Sequence, residues 1–291
     1  MHACGHDGHT SILLATARHL SEARQFAGTV TFVFQPAEET GAGAKRMIDD
    51  GLFRRFPMEF IYGLHNWPGL GQGKLQVNPG AIMASQDMFD IVIKGMGCHA
   101  AMPHNGLDPV VVASPLVTAL QTLVPRRLSP LTPPVLSVTA IDVGTAYNVI
   151  PETAVLKGTV RCLDNSTRQR IEALIREMVG SLPQAFGLTG EVAYRQGYPV
   201  TLNHPDSAHR VYNVACRLRG DANIVWDADP SMATEDFAYM LESCPGAYFW
   251  LGADRQGKEA VPLHNPRYDF NDELVPIGVK LMTALVLSHA E

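Results

Sequence analysis

Apolar residues recur along the chain with two periods, one typical of helices and the other of strands. In residues 9–24 they follow the spacing of one helix face, with Thr10 or Ser11 available as the N-cap. Residues 28–35 are rich in β-branched and aromatic side chains, which is typical of a strand covered on both faces. A second apolar strand is predicted over residues 60–64.

The pattern changes between Gln86 and Gln196. The predicted elements there are a strand over residues 88–94, a helix over 109–123, strands over 135–143 and 154–162, a helix over 168–186 and a strand over 190–194. This order matches the ferredoxin-like split βαβ pattern. It predicts a compact α+β domain over residues 86–196, inserted into another domain.

After Gly197 the alternation of helices and strands returns. Helices are predicted over residues 207–219, from Glu235 and over 274–288, with strands near Ile224 and over 247–251. We therefore expect residues 1–85 and 197–291 to form one α/β domain, a sheet with helices on both faces.

Composition narrows the class of protein. The chain has 291 residues, 46% of them hydrophobic and 18% charged, which suffices for two soluble domains. A net charge of −6 without a long basic run argues against a nucleic-acid partner. No apolar run approaches the roughly 18 residues that a membrane helix needs. Five scattered cysteines, an odd number, are a poor disulfide framework, and we expect a cytoplasmic protein.

Residues of the metal-ligand type follow the predicted strands or precede a helix. Cys4 and His6 lie before the first helix, Glu38 and Glu39 follow the first strand, and His65 follows the second. In open α/β sheets, ligands bind where such loops converge. Sulfur and imidazole together suit zinc and its first-row neighbours. The sequence therefore predicts a metal site at this edge.

The adjacent acids suggest hydrolysis, because one carboxylate can bind a metal ion while its neighbour takes a proton from the attacking water. A simpler interpretation is available for each residue. A Glu-Glu pair ahead of a helix also favours the helix dipole, and an isolated histidine such as His65 or His264 is usually a surface or capping residue.

Several motifs together resemble those of a known family, and they occur in its order over the whole chain. They are Met1-His2-Ala3-Cys4-Gly5-His6-Asp7, Gln35-Pro36-Ala37-Glu38-Glu39, Gly63-Leu64-His65, Gly97-Cys98-His99-Ala100-Ala101-Met102-Pro103-His104, Asn148-Val149-Ile150-Pro151 and Leu263-His264-Asn265-Pro266. The chain resembles the hippurate hydrolase and indole-acetyl-amino-acid hydrolase branch of the aminoacylase and carboxypeptidase-G type dinuclear metallopeptidases.

The resemblance implies a metal-dependent amidohydrolase that cleaves N-acyl amino acids into a carboxylic acid and an amino acid. Two divalent ions would be present, manganese or zinc, with nickel and cobalt as alternatives. Their implied ligands are Cys4, His6, Glu39, His65 and His264. Glu38 would be the general acid/base.

The resemblance also assigns roles to residues of the inserted domain, which would form a homodimer. His99 would reach the partner's active site and stabilise the oxyanion, although a turn histidine is the simpler interpretation. Asn148 and Arg161 would hold the substrate's carboxylate, although an arginine on a strand can also be a surface residue.

One departure from the family concerns the start of the chain. Members begin about a hundred residues earlier, with strands and an acidic loop ahead of the Cys-Gly-His motif. We therefore expect a piece of a longer enzyme, or a weakly active form with an uncovered sheet edge and metal affinity reduced roughly 10- to 100-fold. The alternative is a non-catalytic metal-binding or dimerisation protein left by truncation.

Overall fold

The computed structural model describes residues 1–289, which divide into two compact units. The first unit contains Met1–Ile82, Thr201–Pro230 and the residues from Glu235 onward; the second contains Met83–Val200 and Ser231–Thr234. Among the described residues, no helix combines the length and apolar character required to cross a membrane.

Helices and strands alternate along both units. The α-helices are α1 His6–Ala23, α2 Glu38–Gly41, α3 Gly43–Asp49, α4 Leu52–Arg55, α5 Pro109–Arg127, α6 Asn165–Ser181, α7 Pro205–Arg219, α8 Ala238–Ser243 and α9 Leu274–Leu287. The strands are β1 Ile61–Gly71, β2 Leu75–Val77, β3 Ala81–Met83, β4 Asp87–Lys94, β5 Cys98–His99, β6 Val135–Val143, β7 Val149–Ile150, β8 Thr153–Arg161, β9 Thr189–Gln196, β10 Thr201–Leu202, β11 Ile224–Trp226 and β12 Gly246–Asp254.

A mixed sheet forms the centre of the first unit, with the strand order β1-β12-β2-β11. β1 runs parallel to β12, which in turn runs antiparallel to β2. The first seven residues of β12 are all buried, as expected for a strand covered on both faces. Phe249 and Leu251 of this strand share a core with Ile12 of α1 and Leu281 of α9. The mixed α/β class predicted for this part of the chain is confirmed.

The second unit contains an antiparallel sheet with the strand order β6-β8-β4-β9. In β4, buried residues alternate with more exposed ones, because only one face packs against α5 and α6. Asp108 and Asp164 cap these two helices by accepting hydrogen bonds from backbone N–H groups in the first turn. The six elements predicted between residues 86 and 196 are present, with ends shifted by a few residues.

The strand predicted over residues 28–35 is wrong. The structure has no strand there, and Val30 to Val33 are half-buried rather than buried. Strand formation needs a neighbour that supplies backbone hydrogen bonds, and the described part of the chain provides none to this segment. A suitable local composition is therefore not enough.

Three further local predictions need correction. The first helix begins at His6, and its N-cap is Gly5 rather than Thr10 or Ser11, whose hydroxyls donate to carbonyls inside the helix. Glu38 and Glu39 begin the short helix α2 instead of lying in a strand-to-helix loop. His65 lies within β1 and not after it, because β1 extends to Gly71 beside β12.

Candidate metal centre

A tight turn at Gly5 positions the first two candidate ligands. Gly5 adopts a left-handed conformation with φ of 82°, and a Cβ atom there would collide with the side chain of Asn66. The turn places Cys4 just before α1 and His6 at its first residue. Cys4 is buried, with its Sγ atom 3.5 Å from Nε2 of His65.

β1 supplies His65 in the orientation that a ligand needs. Its Nδ1 lies 2.7 Å from the carbonyl oxygen of Asn66, so Nδ1–H donates and Nε2 keeps its lone pair towards Cys4. Burial lowers the pKa of His65 to about 4. The imidazole is therefore neutral near pH 7, which is the form that binds metals.

Glu38 and Glu39 are held by a buried acid from a distant part of the chain. Asp236 accepts hydrogen bonds from the side-chain amide of Gln35 and from the backbone N–H of Ala44, at 2.9 Å, on either side of the two acids. Nε2 of His6 lies 4.0 Å from Oε2 of Glu38 and 4.0 Å from Oε1 of Glu39. The two carboxylates therefore face the turn that carries Cys4 and His6.

His264 completes the group from the loop before α9. Its backbone is left-handed, with φ of 65°, and its N–H donates to the carbonyl oxygen of Ala3 at 2.7 Å. This bond ties the loop directly to the segment that carries Cys4. Nε2 of His264 lies 3.7 Å from Oε1 of Glu39.

These side chains form two overlapping sets of potential ligands. The ligand atoms of Cys4, His6 and His65 lie within 4.8 Å of one another, as do those of Cys4, Glu39 and His264. Cys4 belongs to both sets, so its sulfur could serve two ion positions. Sulfur, imidazole nitrogen and carboxylate oxygen together suit first-row divalent metals.

The electrostatics at Cys4 also fit a bound cation. Burial raises the pKa of the Cys4 thiol to about 12, and the carboxylates of Glu39 and Glu38 add to the shift. A thiolate at this position therefore needs nearby positive charge, which a divalent ion would supply.

Glu38 lies between the candidate ligands and a second buried acid, Glu235. Burial, Asp236 and Glu39 raise the pKa of Glu38 to about 7. Glu235 accepts a hydrogen bond from the Tyr248 hydroxyl at 2.6 Å, and burial raises its pKa to about 8. The centre thus combines a set of metal ligands with a carboxyl group that can hold or release a proton near neutral pH.

Sequence reasoning left Glu235, Asp236 and Asn66 out of the predicted site, and it interpreted His9 as a residue that supports the ligands or the fold. Glu235-Asp236 matched a motif near the site, but it read equally well as an acid pair at a helix start. His9 and Asn66 contact each other behind the ligands, and the side-chain amide of Asn66 donates to the Tyr268 hydroxyl. Glu235, Asp236 and Asn66 support the centre through contacts between segments that are distant in the sequence, and no local sequence pattern predicts such contacts.

The remaining predicted site residues, His99, Asn148 and Arg161, belong to the second unit. β5 and β7 bring two of them together, because the N–H of Ala100 donates to the carbonyl oxygen of Asn148 at 3.0 Å. His99 is exposed. Arg161 ends β8 and donates to the hydroxyl of Thr159 at 2.6 Å. Their roles stay predictions.

The fold and the candidate ligand set fit a dinuclear metallohydrolase. Residues 1–288 match the family described as Peptidase family M20/M25/M40, and the chain belongs to this family. It is 38% identical over 289 residues to hippurate hydrolase from Campylobacter jejuni, covering 99% of this chain and 74% of that relative. It is also 35% identical to N-acetylcysteine deacetylase from Bacillus subtilis, over 99% of this chain and 73% of that relative.

A solved structure agrees with these relatives. The YXEP protein of Bacillus subtilis, described as a dinuclear metal binding peptidase from the M20 family, superposes with a TM-score of 0.84 at 31% identity. The match covers 100% of this chain and 73% of that one. The predicted family and the predicted class of enzyme, an amidohydrolase, are confirmed.

Proposed function

We propose that this chain is a metal-dependent amidohydrolase that cleaves N-acyl amino acids into a carboxylic acid and a free amino acid. Glu38 is its general acid/base, and Cys4, His6, Glu39, His65 and His264 hold two divalent ions, zinc or manganese. The observation that carries the proposal is the position of Glu38 beside the convergent ligand set. Relatives named hippurate hydrolase and N-acetylcysteine deacetylase support the substrate class.

The two adjacent acids differ in ways that support separate roles. The side chain of Glu39 is 45% exposed and lies with Cys4 and His264, as a ligand would. The side chain of Glu38 is only 17% exposed, beside Glu235 and Asp236. A divalent ion, when bound, makes a nearby water more acidic. Glu38 would take a proton from the attacking water and return it to the leaving nitrogen.

We also propose a homodimer formed through the second unit, whose sheet has the ferredoxin-like strand order. Its edge strand β6 exposes Val135 and Ile141, as an edge that pairs with another chain would. Asn148 and Arg161 would bind the substrate's carboxylate, and the partner's copy of His99 would stabilise the oxyanion. The cytoplasmic location stays a prediction from the cysteine content.

Glu38→Gln tests the catalytic role. We expect hydrolysis of N-benzoylglycine or N-acetylcysteine to fall by roughly 10²- to 10⁴-fold, because the acid/base is lost. The metal content, measured by mass spectrometry, should stay that of the wild type. Glu22→Gln, an exposed change at the end of α1, is the matched control. If metal-loaded wild type turns over no N-acyl amino acid, the chain is instead a non-catalytic metal-binding or dimerisation protein.

Subunit mixing tests catalysis across the dimer. An inactive Glu38→Gln chain and an inactive His99→Ala chain should regain activity when mixed, because one site of each heterodimer keeps both residues. Mass spectrometry under native conditions should verify that subunits exchange. Exchange without recovered activity would show that His99 acts within its own chain or not at all.

A further inference from the structure

A buried tyrosine on β12 lies behind the two acids of the centre, and the proposed reaction assigns it no role. Tyr248 is 5% exposed, and its hydroxyl donates to Oε2 of Glu235 at 2.6 Å. A buried tyrosine hydroxyl usually has a hydrogen-bond partner, so the bond alone is compatible with a purely structural role. The contacts around Tyr248 and Glu235 indicate a more specific one.

The backbone of Tyr248 is held by a single buried side chain. Asn203 follows β10 and is 2% exposed. Its Oδ1 accepts from the N–H of Tyr248 at 2.7 Å, and its Nδ2 donates to the carbonyl oxygen of Tyr248 at 2.8 Å. A side-chain amide that bonds to both backbone groups of one residue fixes that residue in place. The Tyr248 side chain therefore begins from a rigid backbone.

A glycine provides the space for the tyrosine ring. Gly63 of β1 lies opposite Tyr248 in the sheet, and a Cβ atom on Gly63 would lie 2.8 Å from the Tyr248 ring. Gly63 does not adopt a left-handed backbone, so the ring rather than the backbone requires glycine here. The ring also packs against Phe237, with 5.2 Å between the ring centroids. The glycine of the Gly63-Leu64-His65 motif is thus explained by Tyr248.

The hydroxyl of Tyr248 is one of two donors that fix the carboxyl group of Glu235. The N–H of Phe237 donates to Oε1 at 3.2 Å, while Tyr248 donates to Oε2. With both oxygens engaged, the orientation of this carboxyl group is set. Carboxyl oxygens of Glu235, Asp236 and Glu38 lie within 4.8 Å of one another. The orientation of Glu235 therefore bears directly on Glu38.

A general acid/base must reach both the attacking water and the leaving nitrogen, so its orientation limits proton transfer. A neighbouring carboxyl group that was free to turn would disturb that orientation. We propose that Tyr248 is a positioning residue for the reaction: it holds Glu235, and Glu235 in turn keeps Glu38 in its productive orientation. This inference rests on the proposed function and adds Asn203 and Gly63 as the residues that hold Tyr248.

Tyr248→Phe removes the hydroxyl and keeps the ring. With zinc-loaded protein and N-benzoylglycine, we expect kcat to fall roughly tenfold or more, the scale seen when a residue behind an active site is lost. KM should stay within about twofold of wild type, because an interaction that acts on the chemical step is removed. Zinc affinity, measured by competition with a chelator, should be unchanged, because Tyr248 acts on Glu38 and not on the ligands.

Tyr212→Phe is the matched control. The hydroxyl of Tyr212 also donates to a carboxylate at 2.6 Å, that of Asp221, but in an exposed position on α7. This variant should match the wild type in kcat, KM and zinc affinity. Circular dichroism verifies that each variant folds.

A second pair of variants tests whether Tyr248 acts through Glu235. Glu235→Leu should lower kcat about as much as Tyr248→Phe, because both leave Glu38 without a fixed neighbour. Adding Tyr248→Phe to Glu235→Leu should then lower kcat no further, because no carboxyl group remains to be held. The double variant replaces both hydrogen-bond partners by apolar groups, so it leaves no buried polar group unpaired between them.

The inference is overturned if Tyr248→Phe matches the wild type, or if its KM or zinc affinity changes together with kcat, as in a general disturbance of the site. It is also overturned if Tyr248→Phe lowers kcat equally with and without the carboxyl group of Glu235. In these cases the wild type is active, so the proposed function stands. A zinc-loaded wild type that hydrolyses no N-acyl amino acid would contradict both.

Discussion

Each unit buries carboxyl groups, but only the second unit balances their charge with a cation of its own. Asp87, on β4, is fully buried and meets the guanidinium group of Arg168 at 2.5 Å, with further hydrogen bonds from Tyr194 and Gly197. In the first unit, Glu235 is also buried, yet among the described residues no lysine or arginine forms an ion pair with it or with Asp236.

The two environments have opposite consequences for the acids. The positive charge of Arg168 compensates the negative charge of Asp87. Hydrogen bonds from Arg168 and Tyr194 to Asp87 connect β4 to α6 and β9. In the first unit, burial and mutual repulsion raise the pKa of Glu38 to about 7 and that of Glu235 to about 8. A self-contained ion pair is thus structural, whereas buried carboxyl groups whose pKa is raised towards neutrality are suited to proton transfer.

The largest effect should come from removing the cation of the second unit. Arg168→Met leaves Asp87 buried without its charge partner, which typically costs roughly 3–5 kcal/mol of unfolding free energy. Hydrogen exchange of β4 and β8 in increasing urea measures this loss. It reports on the second unit directly, whereas the three tryptophans, Trp67, Trp226 and Trp250, all lie in the first.

The same helix provides the control for this variant. Arg176 pairs with Glu172 one turn away, and their side chains are 46% and 21% exposed. Arg176 also donates to the carbonyl oxygen of Val192 at 3.2 Å. Arg176→Met should therefore cost about 1 kcal/mol or less, because a partly exposed ion pair and one hydrogen bond each contribute little. Equal losses for the two variants would show that the buried pair contributes no more than a surface pair, and the contrast between the units would fail.

The sequence allowed prediction of features that are encoded locally. The elements of residues 86–196 follow from hydrophobic periodicity, and the five candidate ligands follow from short motifs that the fold brings together in the first unit. The strand over residues 28–35 was wrong, because strand formation depends on a neighbour elsewhere in the chain. His65 was placed after its strand because the extension of β1 depends on pairing with β12.

Glu235 and Asp236, which were not predicted as site residues, show the same limit for the prediction of functional residues. An acid pair before a helix favours the helix dipole whether or not it faces an active site, so the motif match of Glu235 and Asp236 did not decide between the two interpretations. Only the folded chain places them within 4.8 Å of Glu38. Their importance depends on burial and on distant neighbours, neither of which a local pattern contains.

The smallest expected effect is on the stability of the first unit, measured as a function of pH in the absence of metal. Burial raises the pKa of Glu235 from 4.5 to about 8, so between these values the folded protein keeps a proton that the unfolded chain releases. Its contribution to stability is therefore fully present below about pH 4.5 and falls as the pH rises towards 8. Glu235→Gln removes this dependence, while the Gln can still hydrogen-bond to Tyr248.

Urea unfolding in the presence of a chelator, followed by tryptophan fluorescence, measures the difference because the tryptophans lie in this unit. The midpoint of Glu235→Gln should rise relative to wild type between pH 5 and pH 8. The buried histidines, His65 among them, titrate alike in both proteins, so the comparison cancels their contribution. Glu242→Gln, an exposed change on α8, is the control and should follow the wild type.

Saturating zinc should shrink the difference between Glu235→Gln and wild type, because a bound cation favours ionised carboxylates nearby. A difference that stays constant across this pH range would show that Glu235 is already ionised in the folded protein and that a compensating charge lies beside it.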